Sequence, residues 1–265
     1  MSDKQFIGKR VVITGAAGVI GQWITKAFAK QGASLCISDI RKEELIKLAN
    51  DPDLAGSDVI LHATDLRDPN SINELVELIQ VRWRAADIVI NNAGIYPSQE
   101  LIHMTNEEWD EVLDVNLRAP FLLTRELAKV MIQNRIKGSI INMSSGAATT
   151  TRIGGGHYSV SKAGLAMLTR AFALELAPYQ IRVNAVGPGF APGSEVSPLS
   201  ENYIQTMISG IPLGRTSGPD DAPEAILFLC SERASFITGA TLPVDGGRSA
   251  GNFKLPKSFS EEAGV

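Results

Sequence analysis

One stretch near the start of this chain constrains its fold more than any other. Arg10–Thr14 (RVVIT) is apolar and β-branched, and Thr14–Gly21 (TGAAGVIG) follows with glycines at 15, 18 and 21. Ile20, Trp23, Ile24, Ala27 and Phe28 then recur at helical spacing. A strand feeding a glycine loop and then a helix leaves the first helical N–H groups unpaired and lets the backbone approach a ligand closely. Those N–H groups and the positive end of the helix dipole suit a pyrophosphate. A tight turn that binds nothing carries the same glycines, so the reading needs support from further along.

Asp39 supplies it. It closes the second expected strand, eighteen residues after Gly21, where an acid can accept hydrogen bonds from both ribose hydroxyls of an adenosine. A carboxylate there also repels a 2′-phosphate, so NAD is expected over NADP, and alcohol oxidation over reduction. Asp39 also suits the N-cap of a helix over Arg41–Ala49, and the two roles are compatible. Arg41 argues the other way, because a guanidinium accommodates a 2′-phosphate, but the glycine loop holds no Lys or Arg.

The remainder repeats the strand–helix alternation. Strands are expected at Arg10–Thr14, Ser34–Ser38, Asp58–Ala63, Asp87–Ile90, Ser139–Met143, Arg182–Val186 and Thr241–Val244. Several are apolar without alternation, as parallel strands covered on both faces should be. Ile72, Leu75, Val76 and Ile79 fall on one helical face, with Asp68 as N-cap and Pro69 in the first turn. This predicts an α/β fold: a doubly wound parallel sheet of seven strands, helices on both faces, in one domain over 1–265. Pro243 inside the last strand places it at a sheet edge. The polar, Gly/Ser-rich segment 249–265 reads as a tail.

Charge and composition exclude other classes. Lys+Arg is 25 against Asp+Glu 29, a net charge of −4 with no basic block, which disfavours nucleic-acid and anionic-membrane partners. No apolar run is long enough for a membrane span, and the first ten residues lack the apolar core of a secretory signal. Cys36 and Cys230 stand apart in apolar contexts, as reduced thiols of a cytoplasmic protein would. No cluster has metal-ligand spacing, so no metal is expected.

A second constellation carries chemistry. Tyr158 and Lys162 are four residues apart on an apolar-periodic stretch, so they share a helix face. A free tyrosine titrates near pH 10; bringing it to about 7 takes roughly 4 kcal/mol, which a neighbouring ammonium and a positive nicotinamide ring would supply. Tyr158 would then be a general acid/base. Ser145 follows the fifth strand, where its hydroxyl can hold a substrate oxygen while Tyr158 exchanges the proton. An isolated Tyr-x-x-x-Lys more often packs than reacts; Ser145 upstream favours reaction.

With these residues in view, the chain from about Lys9 to Gly247 resembles the short-chain dehydrogenase/reductase family, in its shorter single-domain branch. The likeness lies in motif order: the glycine loop Thr14–Gly21, Asp65–Leu66, NNAG at Asn91–Gly94, Asn116 in DVNL, Ser145, the Tyr158/Lys162 pair, Pro188–Gly189 and the closing PVDGG at Pro243–Gly247. The resemblance implies a Rossmann fold and a hydride transfer between NAD and a secondary alcohol or its ketone. It implies cofactor contacts from Gly15, Gly18, Val19, Ile20 and Gly21, from Asp65 and Leu66 at the adenine, and from Asn92, Ala93, Gly94, Pro188 and Gly189. Lys162 would also hold the nicotinamide ribose, and Asn116 would help hold a water in a proton relay.

Two departures stand out. The branch usually has TGxxxGxG, with glycine where Val19 stands; here the spacing is TGxxGxxG. A threonine that binds the carboxamide is replaced by Gly193, with Ser194 one position later. Residues 190–210 are expected to form a substrate lid. Candidate substrate contacts are Ser145, Arg152, His157, Tyr158 and Phe190, although helical phase turns His157 away from its neighbour Tyr158. The substrate expected is a small molecule: a sugar or polyol, a hydroxy acid or an aryl alcohol. The resemblance and the apolar patterns in Leu117–Ile132 and Ser159–Ala177 imply a homotetramer. The alternatives are an NADP-dependent ketoreductase, such as a 3-ketoacyl carrier-protein reductase, and a non-catalytic dinucleotide-binding regulator.

Overall fold

The structure is a computed structural model that describes residues 4–193 and 199–251. Ser194 and most of the expected tail lie outside the described residues, as does part of the expected lid. Seven parallel strands form one sheet in the order β3-β2-β1-β4-β5-β6-β7. They are β1 Arg10–Thr14, β2 Ser34–Asp39, β3 Val59–Ala63, β4 Ile88–Asn91, β5 Ser139–Met143, β6 Arg182–Pro188 and β7 Thr241–Val244. The main helices are α1 Val19–Lys30, α2 Lys42–Ala49, α3 Pro69–Trp83, α4 Asn106–Leu113, α5 Ala119–Gln133, α6 Gly156–Leu176, α7 Glu201–Ile208 and α8 Asp221–Cys230.

The unbroken apolar strands bury both faces, and alternate residues serve opposite layers. Val11, Ile13, Ile88, Ile90 and Ile141 pack with Ile24 and Phe28 of α1 and Ile226 of α8. Val12, Val89 and Ile140 pack with Leu75 of α3, Leu123 of α5 and Phe172 of α6. Each such side chain, removed fully from water, contributes about 1.5–3 kcal/mol. The predicted α3 face is buried as expected, and the Asp68 carboxylate caps it by accepting from Asn70 N at 2.9 Å.

Strand order reverses between β1 and β4, which places the crevice for a ligand at their carboxyl ends. Among the described residues β7 pairs only with β6, so Pro243 sits in an edge strand as expected. β2, β4 and β6 run on past the predicted ends, to Asp39, Asn91 and Pro188. Asp39 does not cap α2 with its side chain; Arg41 occupies the N-cap, and α2 starts at Lys42. No helix among the described residues is long and apolar enough to cross a membrane.

Candidate active site

The carboxyl ends of β1 and β4 are stitched together around the glycine loop. Asn92 Nδ2 donates to Thr14 O at 3.0 Å and Gly15 O at 2.9 Å, while Thr14 Oγ1 accepts from the backbone of Asn92 and Ala93. Gly15 lies at φ +61°, and a Cβ there would sit 2.6 Å from Ala93 Cα. A Cβ on Gly21 would strike the backbone of Gly15 and Ala16. These two glycines therefore let the loop fold onto α1 and β4. Gly18 is the N-cap of α1, without a side-chain cap and with no acid in the first turn. The helix thus presents backbone donors and the positive end of its dipole to the crevice, which suits a dinucleotide pyrophosphate.

A cavity of about 640 Å³ opens there. Gly15, Gly18, Val19, Ile20 and Gly21 line it, with Asp39, Asp65, Leu66, Asn92, Ala93 and Gly94, all predicted as cofactor contacts. It also takes in Ile40, Arg41, Arg67, Tyr96 and Ala191. Arg41 and Arg67 repeat one local arrangement at two strand ends. Asp39 Oδ1 accepts from Arg41 N and Nε, each at 3.1 Å, and Asp65 Oδ1 accepts from Arg67 N at 2.9 Å and Nε at 3.0 Å. Asp39 Oδ2 also accepts from Ala17 N at 3.1 Å, tying the acid to the glycine loop. The hydrogen bond from Arg67 holds the Asp65 carboxyl below its usual range.

The residues expected to carry the reaction gather beside this cavity. Lys162, on α6, is only 4% exposed; its ammonium donates to Met143 O at 2.8 Å and lies 5.6 Å from the Tyr158 ring centre. Burial lowers its pKa from 10.5 to about 8. Ser145 Oγ accepts from Ala147 N at 3.2 Å, just beyond β5. Asn116 sits in a π-helical turn, Asp114–Arg118, between α4 and α5. Its amide accepts from Ile95 N at 2.9 Å, donates to Ile95 O at 2.8 Å and reaches Ser161 Oγ at 3.2 Å. Ser161 Oγ in turn donates to Tyr158 O at 2.7 Å. Asn116 therefore clamps the segment after β4 to the first turns of α6.

The protein's own groups do not by themselves give the expected fall in the Tyr158 pKa, which relies also on the charge of a nicotinamide. Burial raises that pKa above 10, the hydrogen bond with Ser145 lowers it less, and Tyr96 adds to the rise. Lys162 donates to Met143 O, and desolvation by burial is the largest influence on the phenol.

Other predicted contacts divide. His157 is 0% exposed and cannot touch a substrate; α6 turns its ring inward, where burial lowers its pKa. Arg152 is exposed, and its guanidinium lies 3.4 Å from the carbonyl of Ile153. Gly189 and Phe190 line a separate hollow of about 510 Å³ with Ile211 and Leu213, and the Phe190 ring meets Tyr203 edge-on. Pro188 ends β6 and pairs with Val244. NNAG also splits: Asn91 faces inward and donates to Thr124 Oγ1 at 3.0 Å and Asn142 Oδ1 at 2.7 Å, a packing role. No cluster suited to a metal occurs among the described residues.

The chain is similar to known proteins in both sequence and fold. The family model described as Enoyl-(Acyl carrier protein) reductase matches residues 15–249. The chain is 39% identical over 240 residues to the 3-oxoacyl-(acyl-carrier-protein) reductase FabG of Thermotoga maritima, covering 91% of this chain and 97% of that one. A short-chain type dehydrogenase/reductase from Mycobacterium marinum superposes with a TM-score of 0.88 at 32% identity, over 94% and 98% of the two chains. A 3-ketoacyl-(acyl-carrier-protein) reductase from Brucella melitensis, complexed with NADH, gives 0.83 at 34% identity, over 92% and 99%.

Proposed function

The chain belongs to the short-chain dehydrogenase/reductase family, and we propose that it interconverts a ketone and its secondary alcohol with NAD as cofactor. The observation that carries this reading is the meeting of Ser145, Tyr158 and Lys162 beside the glycine-loop cavity. The nicotinamide, when bound, supplies or accepts the hydride. The loop N–H groups and α1 would hold its pyrophosphate, and Asp39 and Asp65 would face the adenosine.

Tyr158 holds a proton on its phenol oxygen at neutral pH, because burial keeps its pKa above the ordinary value. It donates that proton to the carbonyl oxygen, and Ser145 Oγ steadies the same oxygen. Lys162 remains mostly protonated at pH 7 and places a cation behind the phenol. Ketone reduction uses Tyr158 in this protonated form, whereas alcohol oxidation, the direction Asp39 suggests, uses the phenolate. The relatives named as reductases support reduction. Asp39 and the NADH-bound neighbour support NAD; Arg41 beside Asp39 is what an NADP-dependent reductase would use.

Exposed Phe121 on α5 and Val160, Met167 and Leu174 on α6 support assembly through these helices into a homotetramer. The free thiols of Cys36 and Cys230 suit a reducing compartment such as the cytoplasm.

The test is NADH-dependent reduction of a panel of ketones by wild type and Tyr158→Phe. The variant keeps the ring, should bind NADH normally and should lose turnover by about 10²–10⁴-fold. Retention of more than about a tenth of the rate would leave less than about 1.4 kcal/mol depending on the hydroxyl, too little for an obligatory acid. NADH binding by wild type with no turnover of any ketone would favour the regulator instead.

A further inference from the structure

We propose that Tyr96 selects the substrate, forming an aromatic wall beside Tyr158 that receives an uncharged aryl or alkyl substituent next to the reacting carbonyl. The inference rests on the ketone–alcohol reading above and narrows it: apolar ketones and their alcohols, rather than polyols or hydroxy acids.

Three observations carry it. Tyr96 borders both halves of the site. Its ring meets that of Tyr158 edge-on, with centres 6.2 Å apart and planes at 70°, and it lines the same cavity as Gly94 and the glycine loop. Its position is held from both sides. Asn116 clamps the N–H and C=O of Ile95, and Gln99 N donates to Gly154 O at 3.0 Å, tying the segment to the approach to α6. Yet Tyr96 is 57% exposed, an apolar face held in place with protein on one side only.

The cavity is also unevenly charged. Its charged lining residues are Asp39, Arg41, Asp65, Arg67 and Glu111, the last paired with Arg67 at 3.1 Å, whereas Ile95, Tyr96, Pro97, Val115 and Ala191 bring no charge to the wall. Lys162, with its ammonium 5.6 Å from the Tyr158 ring centre, is buried and bonded to Met143 O. A polyol placed against such a wall would lose hydrogen bonds to water without regaining them, and a carboxylate would lose its hydration as well. An aryl or alkyl group would instead cover the Tyr96 ring, gaining apolar burial and an aromatic contact.

The experiment compares kcat/KM for acetophenone, dihydroxyacetone and acetoacetate, with NADH, in wild type, Tyr96→Phe and Tyr96→Ala. Wild type should favour acetophenone by about tenfold or more, within the range that pocket contacts deliver. Tyr96→Phe should keep that ratio. Tyr96→Ala should lower it by about tenfold, chiefly through KM, while the NADH dissociation constant changes less than about threefold. Equilibrium binding of acetophenone to the enzyme with NAD⁺ should weaken in the same variant. If Tyr96→Ala does not fold, Tyr96→Asn replaces it and should shift preference further toward dihydroxyacetone. A wild-type preference for either polar ketone, or a ratio unmoved by the loss of the ring, overturns the inference while leaving the ketone–alcohol reading intact. Absence of turnover with all three ketones defeats that reading, and this inference falls with it.

Discussion

Replacing Lys162 by Met should stabilise the fold while removing activity. Lys162 is nearly buried, and burial takes its pKa from 10.5 to about 8. Below pH 8 the folded protein therefore keeps a charge in a place that disfavours it, at a cost of about 3 kcal/mol. Met has similar length and no charge. It gives up the hydrogen bond to Met143 O and the cation above the Tyr158 ring, together worth about 1–2 kcal/mol. The net gain at pH 7 is about 1–2 kcal/mol, or a melting temperature higher by roughly 2–6 °C for a chain of this size. The sign depends on pH. The folded-state value lies below the unfolded one, so between about 8 and 10.5 the unfolded chain binds more protons and wild-type stability rises with pH. The variant lacks that rise, and its advantage should shrink steadily from about pH 8 upward. Thermal unfolding followed by circular dichroism at pH 7 and about 9.5 measures both quantities. A variant that melts below wild type at pH 7, or whose advantage is the same at both pH values, would refute the claim that burial of this charge is costly.

Asp39→Ala should weaken NADH binding by about tenfold or more, because it removes the proposed ribose acceptor and the carboxylate that holds Ala17 N in the glycine loop. It should also relax the preference over NADPH; equal or better wild-type turnover with NADPH would contradict that preference. Sedimentation at micromolar concentration should show a tetramer, and Met167→Glu with Leu174→Glu should dissociate it, since both residues are exposed and apolar on α6; a wild-type monomer would rule this out.

What sequence reveals about this site depends on the kind of question asked. Strands such as Val11–Ile13 and Ile140–Ile141 are legible because burial on both faces demands apolar residues without alternation. Their functional ends are less so. Asp39, Asn91 and Pro188 extend β2, β4 and β6, yet each looks like a strand terminator by composition. Asn116, Ser145, Tyr158 and Lys162 could be picked out by residue type and motif order. Arg67 sits in a loop without period, and only the closed fold brings it to the cavity.

Depth is the other limit. Helical spacing places Tyr158 and Lys162 on one face, and a pairwise argument then lowers the phenol's pKa. The same spacing is silent on what covers that face. Here α6 packs against β6, the turn after β5 and the Asp114–Arg118 turn, so the pair is desolvated together. Desolvation raises the tyrosine and lowers the lysine, each toward its neutral form. The proposed reduction draws on that balance: a phenol kept protonated would serve as the acid, and a lysine titrating near 8 stays a cation at neutral pH beside it.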